Sequence, residues 1–200
     1  EVGAFRTSLT VVNWRRMEVN QKNSVSVQLD PKSIQDLDFP RIAAAQPLAL
    51  FRFVVAMYLF NEKKFLRAAE IFANIQEEIF AGSENQEAIY FLIGTSFLYA
   101  GKSKAGLSAL KSALRACENA SPDRTLGCRA QCLTNLGWAY AKLGSYKDAL
   151  LYYEQALSIT EHLDKKSIQA TVLNNMGYAY QSLKKLDLAL RSYQSALALA

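Results

Sequence analysis

Two hundred residues, half of them hydrophobic, are ample for a continuous core, and four prolines with nine glycines are too few for a low-complexity chain. Lysine and arginine number 23 against 18 acidic residues, a formal charge of +5 spread thinly along the sequence, which argues for solvated surface and against a nucleic-acid partner. Three cysteines and a single histidine leave too few ligands for a metal or redox centre, and no cofactor is expected.

The first forty residues differ in kind from the rest. Residues 5–12 and 24–29 are rich in β-branched side chains and partly alternate, which predicts two strands, with a turn region at Asn20-Gln21-Lys22-Asn23. Asp30-Pro31 reads as a helix start, with proline in the first turn, and Phe39-Pro40 as a break. Two strands alone are marginal in water, so residues 1–40 read as the end of an upstream domain or as an element leaning on the remainder of the chain. Residues 42–60 are nearly apolar over a membrane-spanning length. Arg52 near the middle would cost about 3 kcal/mol in a bilayer, and Gln46-Pro47 interrupts the run. A buried helix is expected instead, with no membrane partner. No secretory signal precedes it, and a cytoplasmic location is the expectation.

From there the chain repeats itself. Gly137, Tyr140, Ala149, Tyr153 and Ala156 recur forty residues later as Gly177, Tyr180, Ala189, Tyr193 and Ala196. Gly94, Phe97, Gly106, Leu110 and Ala113 occupy the same slots upstream, and Ala56, Leu59, Ala68, Phe72 and Ile75 occupy them once more. Such an echo predicts stacked helix–turn–helix units over about 49–80, 87–117, 130–161 and 170–200. Turns are marked at Asn61-Glu62-Lys63, Gly101-Lys102-Ser103, Leu143-Gly144-Ser145 and Leu183-Lys184-Lys185. A mid-helix glycine costs about 1 kcal/mol against alanine, so glycine at one slot in three units implies a packing reward. Gly94, Gly137 and Gly177 would let a partner helix approach, against the small surface of Ala68, Gly106, Ala149 and Ala189. Phe72, Leu110, Tyr153 and Tyr193 would wedge between helices.

Cys128 and Cys132 stand four apart on a predicted helix and share a face, with Cys117 at the end of the helix before. All three read as small buried hydrophobes in a reducing compartment. His162 falls in the predicted loop 162–166 with no partner for a base or metal role. No nucleophile motif, phosphate-cradling loop or useful carboxylate pair is present, so an enzyme is not expected. Residues 195–200 stop inside an apolar helix, and terminal repeats normally carry a polar cap. A fragment of a longer protein is expected, with self-association through that last helix as one possible consequence.

The G-x-x-Y, A-x-x-x-Y and A-L elements of residues 49–200 resemble the tetratricopeptide repeat (TPR) family, best in the last two units. The period is longer than the usual value of about 34 residues, and no unit carries the proline that often closes such a repeat. The resemblance implies an all-α, right-handed superhelix, with the 1–40 segment as an extension. It also implies a concave groove lined by the first helix of each unit. Relatives with long repeats use asparagine just before the Leu-Gly or Met-Gly pair to hold an extended peptide, which points to Asn135 and Asn175. Gln131, Thr134, Trp138 and Lys142 join Asn135 on that face, and Thr171, Asn174, Tyr178 and Gln181 join Asn175. Thr134 and Trp138 replace the basic and amide pair of the chaperone-binding subclass, and Lys142 is the one groove lysine evident, which disfavours that subclass.

The first two units carry Phe53, Met57, Phe60, Phe91, Leu92, Leu98 and Tyr99 on the equivalent face, an apolar stripe that is either core or a seat for a partner helix. The function implied is a module binding a peptide or helical segment of a protein partner. The alternative is a regulatory or sensor arm of a larger signalling protein, of nucleotide-switch or protease-effector type.

Overall fold

The structure, a computed structural model, describes residues 47–76, 86–118 and 122–199. The strands expected at 5–12 and 24–29, the helix start at Asp30-Pro31 and the break at Phe39-Pro40 lie outside the described residues. Within them the chain forms eight helices and no strand: α1 (Pro47–Asn61), α2 (Phe65–Ile75), α3 (Gln86–Tyr99), α4 (Ser103–Cys117), α5 (Pro122–Lys142), α6 (Tyr146–His162), α7 (Lys166–Ser182) and α8 (Leu186–Ala198). Consecutive helices pair as α1/α2, α3/α4, α5/α6 and α7/α8, an α-solenoid of four helix–turn–helix units.

The turns explain the regularity. Each ends its helix with a residue in the left-handed region: Lys63 at φ 60°, Gly101 at 75°, Gly144 at 78°, Asp164 at 49° and Lys184 at 60°. The next amide then reaches back five residues, as Lys102 N–H does to Phe97 O at 2.8 Å and Lys185 N–H to Tyr180 O at 2.9 Å. This Schellman closure satisfies carbonyls that a helix end would otherwise strand, and it reverses the chain within two residues. Glycine takes the position without strain at Gly101 and Gly144, whereas a lysine or aspartate there carries the cost of a Cβ.

Packing follows the repeated slots. At Gly177 an added Cβ would lie 2.6 Å from the Tyr193 ring, and at Gly94 it would lie 2.7 Å from Leu110 and 3.1 Å from the Gly106 carbonyl. At Gly137 it would overlap the Tyr153 ring outright. The glycine therefore receives the wedge residue of the second helix. Ala68 and Ala149 are fully buried, Ala189 nearly so. Core side chains run continuously from Leu98, Leu110, Leu136 and Ala139 to Leu133, Ala149, Tyr153, Val172 and Met176. Burial pushes the Tyr153 phenol far above the ordinary tyrosine range, with the charge of Tyr178 adding to it. Along the array α3 touches α5 and α5 touches α7, while among the described residues no two second helices touch to a comparable extent.

The apolar run at 42–60 gives the expected helix, α1, fifteen residues long, and no helix among the described residues is long and apolar enough to cross a membrane. Two expectations are corrected. His162 lies in the last turn of α6 rather than in a loop, its Nδ1 2.7 Å from Ser158 O, because α6 continues until the left-handed Asp164 closes it. Cys117 and Cys128 are not free thiols but a disulfide between the end of α4 and the first half of α5, leaving Cys132 free and buried. The reason is where α5 starts. It begins at Pro122, a residue type suited to a first helical position, so its early turns lie against the end of α4 and bring the two Cα atoms to 6.0 Å.

Candidate functional site

Side chains three, four and seven residues apart share one face of a helix. On α5 that stripe runs through Gln131, Thr134, Asn135, Trp138 and Lys142, and on α7 through Thr171, Asn174, Asn175, Tyr178 and Gln181. An amide followed by an aromatic three residues on, Asn135 with Trp138, recurs as Asn175 with Tyr178.

The structure divides these ten residues by what their polar atoms already do. Thr134 is buried, and its hydroxyl donates to Ala130 O at 2.7 Å. Thr171 is exposed and donates to Ser167 O at 3.0 Å. Gln181 accepts from the Tyr193 hydroxyl at 3.0 Å. Each of those three already makes one hydrogen bond within the chain. Asn135, Asn175 and Gln131 are half-buried and Asn174 is exposed, and among the described residues none of the four has a side-chain hydrogen bond. These amides keep donor and acceptor groups open to solvent, where a ligand can reach them.

The aromatics are anchored from behind. Trp138 is half-buried against Tyr99, with ring centroids 4.9 Å apart, and Lys142 Nζ sits 5.6 Å from the Trp138 centroid. Lys142 is exposed, and the cation over an indole face is a weak attraction that holds its amine near the stripe. Tyr178 is exposed, with its ring edge-on to Tyr146 at 6.2 Å. Sequence reasoning missed Tyr146, because it starts the second helix of its unit and only the fold brings it to Tyr178.

The apolar set of the first two units is largely interior. Phe53, Met57, Phe60, Leu92 and Leu98 are buried, whereas Phe91 and Tyr99 are half-buried. Phe53 packs edge-on to Phe72 at 5.6 Å, and Phe60 packs against Phe65 at 5.2 Å and Tyr99 at 6.0 Å. Tyr99 stacks on Phe65 at 4.9 Å, and burial raises its phenol above the ordinary range. Beside this pair a shallow depression of ≈ 390 Å³ is lined by Lys63, Lys64, Phe65, Leu66, Arg67, Tyr99 and Ala100.

Comparison with known proteins agrees with this architecture. Two family models described as tetratricopeptide repeat match residues 85–162 and 170–200, together more than half of the chain. No curated protein matches the chain in sequence. Among solved structures, the apo form of RapI is 17% identical with a TM-score of 0.65, over 80% of this chain and 46% of that one. The Rap conjugation gene regulator of plasmid pLS20, solved in complex with the Phr* peptide, is 16% identical with a TM-score of 0.68, over 91% and 49%. The TPR domain of Arabidopsis FLU is 20% identical with a TM-score of 0.53, over 58% and 96%. The chain thus spans about half the length of the Rap structures it resembles. With its repeat slots, its turn geometry and both family models in agreement, the chain belongs to the tetratricopeptide repeat family.

Proposed function

We propose that this chain is a protein-interaction module that holds an extended peptide along α5 and α7, with Asn135 and Asn175 bonding the peptide backbone. The observation that carries this reading is the pair of half-buried amides at equivalent slots, without a side-chain hydrogen bond among the described residues, beside Thr134 and Thr171, whose hydroxyls donate to backbone carbonyls, and Gln181, whose carbonyl accepts from Tyr193. An extended backbone offers a carbonyl and an amide N–H at each residue, which an asparagine can accept and donate to at once. Trp138 and Tyr178 then supply apolar surface on either side of those bonds, and Lys142 supplies positive charge. Contacts between successive first helices, without equal contacts between second helices, support placing α5 and α7 on the inner curve. The Rap regulator solved with the Phr* peptide is a solenoid of similar form that holds a peptide. The buried apolar side chains of the first two units are not part of the proposed seat.

Peptides selected against the chain from a displayed library, and measured by fluorescence anisotropy, test this directly. Each asparagine-to-alanine substitution should weaken binding about tenfold, the equivalent of about 1.4 kcal/mol. The melting temperature should not move. Unchanged affinity in Asn135→Ala/Asn175→Ala would place the peptide elsewhere.

A second reading makes the module the regulatory arm of a larger protein. It rests on the share of the Rap structures that the chain spans and on the description of one as a gene regulator. The exposed Leu186, Leu190 and Leu197 of α8 favour a further possibility, self-association. Light scattering across a concentration series tests it, and a monomer throughout rules it out.

A further inference from the structure

Three sulfurs meet where the second unit joins the third. Cys117 ends α4 and is fully buried, Cys132 lies in α5 at 1% exposure, and Cys128 lies one turn earlier on the same face, half-buried. The three Sγ atoms lie within 4.8 Å of one another. Cys117 is bonded to Cys128, and its sulfur is 3.8 Å from that of Cys132. Ala113, Tyr90, Phe91 and Leu114 pack around them. The carboxylate of Glu87, a buried residue of α3, is close enough that its charge adds to burial in raising the Cys132 thiol. A structural staple needs two cysteines and does not account for the third sulfur.

We propose that reduction of the Cys117–Cys128 bond opens a three-thiolate site in which Cys117, Cys128 and Cys132 hold one thiophilic d¹⁰ cation of the Zn²⁺ or Cu⁺ class. Metal–sulfur bonds of about 2.3 Å at a tetrahedral angle set thiolate sulfurs about 3.8 Å apart. Cys117 and Cys132 already stand at that separation. Cys128, on the same face one turn away, needs only to be released from its bond. The chemistry balances with a thiol reductant. Two equivalents of thiol donate two electrons and two protons, become a disulfide, and leave Cys117 and Cys128 as thiols. The cation then displaces one proton from each of three cysteines and bonds to the sulfurs. Burial opposes a bare thiolate here, and a bound cation supplies the charge that makes it stable. Half-exposed Cys128 is the way in.

The 200-residue chain is reduced with a dithiol, desalted under nitrogen and titrated with Co²⁺. The expected result is a sulfur-to-cobalt charge-transfer band that saturates at one equivalent and is bleached by Zn²⁺. A parallel titration with Cu⁺ against a chromogenic chelator covers the monovalent ion, and saturation there alone assigns the site to Cu⁺. Air-oxidised protein should bind neither ion. Cys132→Ser keeps the disulfide pair and should bind at least a hundredfold more weakly, with circular dichroism reporting that it is folded. Cys128→Ser, at a half-exposed position, is the second variant. The proposal is overturned if reduced wild-type protein binds neither ion at micromolar concentration. It is equally overturned if oxidised protein or folded Cys132→Ser binds as tightly as reduced wild type.

Discussion

The first two units and the last two use the same packing slots but leave different things unfinished. In units one and two the first helices bury Phe53, Met57, Phe60, Ile89, Leu92 and Leu98, and aromatic rings close on one another around Tyr99. In units three and four the same helices carry Asn135, Trp138, Asn175 and Tyr178, half-buried or exposed, and among the described residues neither asparagine has a side-chain hydrogen bond. Within a solenoid each unit is held by its neighbours, so a packing set can recur while the free face drifts. What recurs therefore identifies the architecture, and what differs is where a ligand would be distinguished.

The sharpest way to break the comparison is at the glycines. Gly137→Ala forces a Cβ into the ring of Tyr153, which is 1% exposed and has nowhere to move, and should cost about 2–3 kcal/mol in urea unfolding. Gly177→Ala should cost less, because Tyr193 is only half-buried and its ring can swing outward. Equal costs would show that the two later units are not packed differently.

Alkali tests the burial of Tyr153. A phenol whose folded pKa is raised contributes stability below its unfolded value near 10.0, and loses it as pH climbs toward the folded value. Between those limits Tyr153 should remove about 1.4 kcal/mol per pH unit, so at pH 11 the wild type weakens by roughly that amount and Tyr153→Phe by much less. A flat difference between the two proteins from pH 9 to 11 would contradict the burial argument.

Tyr99 and Trp138 join the apolar half to the polar half. A double-mutant cycle with Tyr99→Leu and Trp138→Leu should return a coupling of about 1 kcal/mol, within the range of aromatic pairs. Zero coupling would mean the halves are merely adjacent. The smallest effect is at the turns. Lys184 and Gly144 hold the same left-handed position, so Lys184→Gly should gain about 0.5 kcal/mol in thermal unfolding. A loss there would show that the lysine side chain contributes something its backbone angle does not reveal.

Much of this was legible from residues alone. The echo of Gly137 in Gly177 pointed to a close helix approach at that slot, expected against Ala149 and Ala189, whereas the structure places the rings of Tyr153 and Tyr193 against the glycines. The marked turns each carry a residue with positive φ, Lys63, Gly101, Gly144 and Lys184, while a fifth such residue, Asp164, lies in the segment 162–166 read as a loop. The groove stripe was harder to read. Thr134 and Asn135 are adjacent polar residues, and nothing in their order says that one bonds Ala130 O while the other is left unpaired. The partnership of Tyr146 with Tyr178 and that of Cys117 with Cys128 were also hidden, because each joins different helices.

Sequence by itself determined the helical period and the turns, because these depend on contacts three to five residues apart and on left-handed closures that the local residues specify, and it marked the packing slots by their recurrence. Only the tertiary structure decided which polar groups are used up, which apolar faces are closed and which thiols meet. Those outcomes depend on how far one helix advances along the next, and that advance is set by the summed packing of all the units.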